Sequence, residues 1–255
     1  MANVLIKIEY DGTNFSGWQI QPDARTVQGE LEHVLEFIAG EPVHIHGTSR
    51  TDAGVHALGQ CASFDWTNNM PVEKLPEVMN RRLGVNGTGR SGAAGDIRII
   101  SAEVKPDDFH ARYDCKGKTY RYIIDKTGDI YRRNYAYQFE ESSELDIEKM
   151  RQAAEHIIGT HDFKCFETAG GTPRETTVRT IHSLTITDAE NEIIIEVTGD
   201  GFLYNMVRII VGTLVEVGLA KREASDLPKI IESQDRSNAG FTAPPQGLYL
   251  KEIYF

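Results

Sequence analysis

The order of strands and helices is the sequence feature that most restricts how this chain can fold. Residues 4–10 alternate between apolar and polar side chains, as a half-buried strand does. Thr26 can cap a helix that carries apolar residues on one face, and Gly40 follows the end of that helix. The remaining predicted elements of the first half are strands at 43–48 and 60–66, a helix at 71–83 and a strand at 97–104.

The second half repeats this order of strand, helix, strand, strand, helix, strand. Its predicted elements are a strand at 111–125, a helix at 146–158, strands at 178–187 and 192–198, helices at 202–218 and 224–232, and a strand at 247–254. The two halves share the order of their elements but no repeated sequence.

The repeated order predicts an α+β fold made of two ferredoxin-like, or RRM-like, β-α-β-β-α-β halves. We expect the halves to join near Lys105-Pro106, with an N-terminal domain at 1–105 and a C-terminal domain at 106–255. Two such halves can share a central antiparallel or mixed sheet and leave an interdomain cleft.

The composition indicates a soluble globular protein, with 40% apolar and 25% charged residues. No secretory signal is apparent at the N-terminus, and the longest apolar stretch is interrupted by Asn205 and Arg208. Three widely spaced cysteines without a CxxC pattern predict neither a disulfide framework nor a zinc site. We therefore predict a cytoplasmic protein that does not enter a membrane.

The net charge of −11 lowers the expectation of a nucleic-acid partner, because phosphate binding usually requires a basic surface. The charge is unevenly distributed, however. Residues 105–133 contain eight Lys or Arg against five Asp or Glu, and aromatic residues lie among them. A basic groove on an acidic protein is compatible with this pattern.

Asp52 lies in the stretch GTSRTDAGVHALGQ, between two predicted strands. An Asp before Ala-Gly commonly forms an Asx-turn, which needs no catalytic role. Here Arg50, Thr51 and Asp52 combine a guanidinium, a hydroxyl and a carboxylate within three residues. Loops at the ends of central strands often carry functional groups, so Asp52 is a candidate nucleophile or general base.

Arg208 interrupts the apolar helix FLYNMVRIIVGTLVEVG. An unpaired buried guanidinium costs on the order of several kcal/mol, so this side chain needs a partner. Asp200 is a possible local partner. The alternative is Asp52 across the cleft, where an arginine would keep the carboxylate ionised and oriented.

Lys118, Tyr120 and Tyr122 share one face of a predicted strand in KGKTYRYII. Aromatic rings beside basic groups can hold an unstacked nucleobase. The alternative is an ordinary strand with cross-strand aromatic packing.

These stretches together carry a resemblance to a known family. SRTDAGVHALGQ, DFHARYDCKGKTYRYII, GDGFLYNMVRIIVGTLVEVG and APPQGLYL resemble the successive motifs of the tRNA pseudouridine synthase A family, in the same order. The blocks YDGTNFSGWQIQP and RTVQGELE near the N-terminus are also similar to that family. The resemblance covers nearly the whole chain.

The resemblance implies an enzyme that converts uridine to pseudouridine at positions 38, 39 and 40 of the tRNA anticodon stem-loop. It implies no metal and no cofactor, and a homodimer in which one tRNA contacts both subunits. The aspartate could attack the ribose carbon, attack the base or abstract a ribose proton, and the sequence leaves all three open.

The resemblance also implies the site residues. Asp52 matches the catalytic aspartate, and Arg208 matches the arginine that pairs with it. Tyr120 matches the tyrosine that stacks on the target base and helps to remove its C5 proton. The remaining predicted substrate-binding residues are Arg50, which would enter the RNA stack, Leu248, an apolar wall of the pocket, Lys118 in the strand KGKTYRYII, and Arg25 in RTVQGELE.

The sequence departs from the family at two places. Ser49 replaces the usual glycine before RTD, which is tolerated unless that position needs a positive φ. A glycine-rich insert, GVNGTGRSGAAG at 84–95, lengthens one loop, and its composition favours disorder over a role in RNA binding.

Other functions have weaker support. His44, His46 and His56 lack a Cys or acidic residue at metal-ligand spacing. The loop TAGGTPRETT at 168–177 lacks the phosphate-binding GxxxxGK[ST] pattern and is predicted to be a mobile loop near the RNA. A non-catalytic RNA-binding protein of two RRM-like halves is the alternative from another class. A glycoside hydrolase would need a second catalytic carboxylate, which no motif supplies.

Overall fold

The computed structural model describes residues 2–85, 95–170 and 175–255. The chain divides into two compact units, one of residues 1–116 with 249–255 and one of residues 117–248. Both units combine strands and helices, which confirms the predicted α+β class. The predictions for the glycine-rich insert and for the centre of the loop at 168–177 fall on residues 86–94 and 171–174, outside the described residues.

The described part of the chain contains ten β-strands and five α-helices. The strands are β1 (Ala2–Tyr10), β2 (His46–Gly47), β3 (His56–Trp66), β4 (Ile97–Lys105), β5 (Gly117–Asp125), β6 (Tyr137–Gln138), β7 (Gly159–Asp162), β8 (Val178–Asp188), β9 (Glu192–Gly199) and β10 (Leu248–Tyr254). The helices are α1 (Val27–Ala39), α2 (Leu75–Arg82), α3 (Ile147–Glu155), α4 (Met206–Gly218) and α5 (Leu227–Ser233).

In the first unit, β1 lies between β3 and β4 and pairs antiparallel with both. The short β2 pairs antiparallel with β3, so the strand order is β4, β1, β3, β2. From Tyr249 onward, β10 runs parallel to the start of β3. The last strand of the chain therefore completes the first unit.

The centre of β1 is buried on both faces, although its alternating sequence predicts only one buried face. Val4 and Ile6 are fully buried on one face, and Leu5 on the other face is 5% exposed. Leu5 packs with Cys61 and Ala111 in a small apolar cluster. The second face is covered by residues distant in sequence, which the pattern of one strand cannot predict.

Residues 106–116 contribute Phe109 and Ala111 to that cover and belong to the first unit. Asn3 holds the segment by donating from Nδ2 to the carbonyl oxygens of Pro106 at 3.0 Å and Phe109 at 2.6 Å. The border between the units therefore follows residue 116, whereas the sequence predicts a border after residue 105. For the same reason β5 starts later than predicted.

The predicted first helix is confirmed as α1. The Thr26 hydroxyl accepts the N–H of Gly29 at 3.3 Å, which caps the start of the helix. Gly40 ends it with a φ of 80°, a conformation that favours glycine. The apolar face buries four residues, Val27, Leu31, Val34 and Leu35.

Several other predicted elements are also shorter in the structure. β2 covers two residues of the predicted strand at 43–48. A 3₁₀ turn at Val72–Lys74 precedes α2, so the regular helix starts after the predicted Pro71. Helix α4 starts at Met206 because Asn205 has a φ of 62°, which no α-helix allows.

In the second unit, the strands follow the order β5, β9, β8, β7, and each neighbouring pair is antiparallel. β6 adds a short parallel pairing to the end of β5. Helix α3 packs against α4 and β8. All residues of α4 are buried except Arg208 and Glu216, which are half-buried, so this helix is the centre of the second unit's core.

None of the helices formed by residues 2–85, 95–170 and 175–255 has the length and apolar content needed to cross a membrane.

Gly212 allows another part of the chain to lie directly on α4. A Cβ atom at this position would stand 1.8 Å from the carbonyl oxygen of Phe241. The adjacent N–H of Gly240 donates to the Thr213 hydroxyl at 2.9 Å and fixes the segment there. Because the Phe241 carbonyl belongs to this anchored backbone segment, it cannot easily move away from a new Cβ atom.

We expect Gly212→Ala to lower the free energy of unfolding by about 1–3 kcal/mol, because overpacking outweighs the gain of up to ~1 kcal/mol in helix propensity. Urea denaturation of the purified protein measures the change. Gly218→Ala is the matched control in the same helix, because its Cβ would meet flexible side-chain atoms of Leu145 and Met150 at 2.9 Å. A Gly212→Ala protein as stable as the Gly218→Ala protein would contradict this expectation.

Candidate active site

Asp52 lies in a tight turn between β2 and β3. The N–H of Val55 donates to the carbonyl oxygen of Asp52 at 3.1 Å, and Gly54 within the turn has a φ of 76°. The Asp52 side chain is half-buried, and Arg50 is exposed. One short loop therefore carries both predicted residues.

Hydrogen bonds to the surrounding scaffold hold this loop in place. The buried side chain of Gln60 donates to the carbonyl oxygen of Ser49 at 2.7 Å and accepts its N–H at 3.4 Å. The hydroxyls of Tyr10 and Thr51 are 2.7 Å apart, and the N–H of Trp18 donates to the Thr51 carbonyl at 3.0 Å. The loop is thus positioned by rigid elements before any substrate binds.

Two glycines allow the N-terminal loop to pack against this turn. A Cβ at Gly12 would lie 2.0 Å from the carbonyl oxygen of Val55, and one at Gly17 would lie 2.7 Å from that of Thr51. Gly17 also has a φ of 93°. The block YDGTNFSGWQIQP matched the family in the sequence, but its role in supporting the Asp52 loop becomes visible only in the structure.

His56 joins the same two loops and was not predicted as a site residue. Its Nδ1 accepts the N–H of Gly12 at 3.0 Å, which requires a lone pair on that nitrogen. The proton therefore resides on Nε2, and the 3.3 Å contact between Nδ1 and Asp11 is not an ion pair in this state. The ring stacks on Tyr249 with a centroid distance of 4.7 Å.

The replacement of glycine by Ser49 causes no backbone strain. Over residues 2–85, 95–170 and 175–255, the non-glycine residues with positive φ are Asp23, Asn205, Ala220 and Gln234. Ser49 is not one of them, so its position does not need glycine.

Arg25, predicted to bind the substrate, makes three contacts within the first unit. Its guanidinium pairs with Glu30 at 3.0 Å and Asp96 at 2.7 Å, and lies 4.2 Å from the ring centre of Phe15. Burial alone would lower the pKa of Arg25, but the bonds and charges of Asp96 and Glu30 outweigh it and raise the pKa. These contacts give Arg25 a structural role, and its contact with substrate stays a prediction.

Tyr120 and Lys118 lie on β5 in the second unit. Tyr120 is 6% exposed, and its ring packs edge-on against Phe202 with a centroid distance of 5.1 Å. Lys118 is half-buried and pairs with Gly199 of β9. Neighbouring side chains therefore restrict the Tyr120 ring.

Arg208 is held at two edges of its guanidinium. Its Nε donates to the carbonyl oxygen of Ala243 at 2.6 Å, and its Nη1 donates to Oδ1 of Asn205 at 2.7 Å. Asp200, the local partner considered from the sequence, accepts the N–H of Thr180 at 3.0 Å.

Tyr122 lies close to Arg208 in the core of the second unit. Its hydroxyl donates to the carbonyl oxygen of Pro244 at 2.8 Å. Burial raises the pKa of Tyr122 well above its ordinary value, and the charge of Arg208 offsets part of that increase. The phenol is therefore neutral at physiological pH.

Leu248 is buried and follows a turn that crosses β5 closely. A Cβ at the preceding Gly247 would lie 2.7 Å from the Tyr122 ring and 2.8 Å from the carbonyl oxygen of Ile123. The glycine in GLYL thus determines how near Leu248 approaches that strand.

The histidines considered for a metal have separate partners. His44 contacts Glu32 at 3.4 Å, His46 packs on His110 with ring centres 4.8 Å apart, and His56 binds Gly12. Over the described ranges 2–85, 95–170 and 175–255, no three His, Cys, Asp or Glu side chains form a group that could hold a metal ion.

Two of the cysteines are poor candidates for a nucleophile. Burial raises the pKa of Cys61 and of Cys165 to about 12, so both thiols are protonated at neutral pH.

The structure therefore distributes the predicted residues over both units. Asp52, Arg50 and Arg25 belong to the first unit, and Tyr120, Lys118, Arg208 and Leu248 belong to the second. Within the second unit, Arg208 lies close enough to Tyr122 to affect its pKa, and Leu248 follows the glycine that packs on Tyr122.

Comparison with known proteins identifies the family. The family model described as tRNA pseudouridine synthase matches residues 6–114 and 153–255. The chain belongs to the tRNA pseudouridine synthase family.

Curated members of this family match the chain over its whole length. A tRNA pseudouridine synthase A of Thermoanaerobacter sp. (strain X514) is 47% identical over 257 residues, which cover 100% of both chains. A tRNA pseudouridine synthase A 2 of Clostridium tetani is 46% identical and covers 99% of this chain and 98% of its own. A tRNA pseudouridine synthase A of Lacticaseibacillus casei is 42% identical, again over 100% of both chains.

We expect Gln60→Leu to lower the free energy of unfolding by about 1–3 kcal/mol, because the substitution removes both side-chain bonds to Ser49. Amide hydrogen exchange at residues 49–55 should become faster, since the loop loses its anchor. Gln21→Leu is the control, because Gln21 is exposed and makes one bond to the Ser16 carbonyl. Unchanged exchange at these residues in Gln60→Leu would show that Gln60 does not hold the loop.

Proposed function

We propose that this protein isomerises uridine to pseudouridine at positions 38, 39 and 40 of the tRNA anticodon stem-loop, without a metal or cofactor. Membership of the family makes it a tRNA pseudouridine synthase, and hence an isomerase that acts on RNA. The observation that carries the assignment of Asp52 is the position of its carboxylate on a loop held by Gln60, Tyr10 and Trp18.

The reaction breaks the bond between uracil N1 and ribose C1′, turns the base over, and joins C5 to C1′. The C5 proton leaves and N1 gains a proton, so the overall reaction is an isomerisation. Asp52 must be ionised to act as nucleophile or base. Arg208 has the role of keeping the Asp52 carboxylate ionised and oriented.

The target base must first leave the RNA stack, which costs a few kcal/mol. Arg50 is exposed, two residues before Asp52, which suits a guanidinium that takes the place of the flipped base. Tyr120 provides the surface on which that base stacks, and its packing against Phe202 supports a rigid orientation. Leu248 forms an apolar wall of the pocket, and Lys118 contacts the RNA backbone. Arg25 binds the substrate while it remains paired with Glu30 and Asp96.

We propose a ferredoxin-like architecture for both halves of the chain. The strand order β4, β1, β3, β2 supports a ferredoxin-like first half. The RNA occupies the cleft between the two domains of a homodimer, in which one tRNA contacts both subunits. A cytoplasmic location is part of the same proposal, because that is where bacterial tRNA is modified.

We expect Asp52→Asn to retain tRNA binding and to lose the release of tritium from unmodified tRNA that carries [5-³H]uridine. The amide has nearly the shape of the carboxylate but cannot act as nucleophile or base. Asp65→Asn is the control, because Asp65 is exposed on β3 and should keep full activity. Near-normal tritium release by Asp52→Asn would overturn the catalytic assignment.

We expect Lys118→Ala to weaken tRNA binding and to reduce the dependence of log Kd on log salt concentration by about one ion, because one phosphate contact is lost. Filter binding at several salt concentrations measures the slope. Lys229→Ala is the control, since Lys229 is an exposed lysine of α5. If the two variants have the same slope, Lys118 does not contact the RNA backbone.

A further inference from the structure

Asn205 has an unusual backbone conformation directly before α4. Its φ of 62° and ψ of 6° lie in the left-handed region, which costs most residues roughly 1–2 kcal/mol. Asn enters this region more readily than other non-glycine residues. The backbone alone therefore explains an Asn or a Gly at this position, and any further role has to come from the side chain.

The Asn205 side chain contacts two residues on opposite sides of its amide. Its Oδ1 accepts from Nη1 of Arg208 at 2.7 Å, and its Nδ2 donates to the hydroxyl oxygen of Thr168 at 3.3 Å. A guanidinium can only donate, so the amide oxygen must face Arg208. The bond to Thr168 then holds the amide in that orientation.

The second support of Arg208 is the backbone of Ala243. The Nε atom of Arg208 donates to the Ala243 carbonyl at 2.6 Å, and the N–H of Ala243 donates to the Arg208 carbonyl at 3.1 Å. Two bonds to different atoms of a planar group determine the plane as well as the position of that group. Arginine pairs with carboxylates through this plane, so its orientation matters as much as its charge.

We propose that Asn205 is a positioning residue, which fixes the plane of the Arg208 guanidinium so that it can engage the Asp52 carboxylate. Thr168 acts through Asn205 in the same arrangement. This inference rests on the proposed function, because it requires that Arg208 pairs with the catalytic carboxylate.

The test uses Asn205→Gly in the full-length protein, because glycine adopts the same backbone conformation without strain and removes only the amide. We expect kcat for pseudouridine formation to fall by roughly 10- to 100-fold. The KM for tRNA should change by less than about 3-fold, since the amide does not contribute to the bulk of RNA binding. Ala220→Gly is the matched control, because Ala220 is also left-handed, with a φ of 54°, at the other end of α4.

Thr168→Val provides a second and independent measurement. We expect a smaller loss of kcat, and the double variant Thr168→Val/Asn205→Gly should be no slower than Asn205→Gly alone, because Thr168 acts through Asn205. The combination Asn205→Gly/Arg208→Lys should likewise be no slower than Arg208→Lys. Additive losses in both pairs would overturn the proposal, as would a wild-type kcat for Asn205→Gly.

Failure of this inference can be told apart from failure of the proposed function. If the wild-type protein releases no tritium, the proposed function is wrong. If Asp52→Asn remains active, the catalytic role of Asp52 is wrong, and Asn205 has no catalytic carboxylate to serve. If Asp52→Asn is inactive while Asn205→Gly has a wild-type kcat, the proposed function stands and the role of Asn205 is refuted.

Discussion

The pair of hydrogen bonds between the Gln60 side chain and the backbone of Ser49 is the interaction on which the candidate site depends. A carboxylate can act on a flipped nucleotide only if its position is fixed before the nucleotide arrives. Asp52 lies three residues after Ser49, in a turn that is also bound by Tyr10 and Trp18. The backbone that carries the carboxylate is therefore anchored to β1, to β3 and to the N-terminal loop.

In the second unit, fixed hydrogen-bond partners likewise hold a site residue, but this residue is the cationic Arg208. Arg208 is half-buried on a helix that is otherwise almost wholly buried, so its polar groups need partners that do not move. The Ala243 carbonyl and the Asn205 amide supply them. Neither acceptor carries a charge, so both orient the guanidinium without neutralising its positive charge.

Local patterns predicted the elements that depend on nearby residues. The Thr26 cap, the Gly40 terminus and the apolar face of α1 all act within one helix, and all three are confirmed. The motif match identified the family and selected Asp52, Tyr120 and Arg208 as site candidates. It assigned no role to Gly12, Gly17 or Gln60, because the packing of one loop on another is not visible in either loop alone.

Helix ends could be read from residues adjacent in the chain, because caps are hydrogen bonds between near neighbours. Strand periodicity could be read because side chains alternate along an extended backbone, and the family could be read from its motifs. Three other features could not be read from adjacent residues. They are the cover over the second face of β1, the late start of β5 and the assignment of β10 to the first unit. Each depends on contacts between residues far apart in sequence, such as Asn3 with Phe109 and Tyr249 with His56. Such contacts exist only after the chain has folded, so tertiary packing decided them.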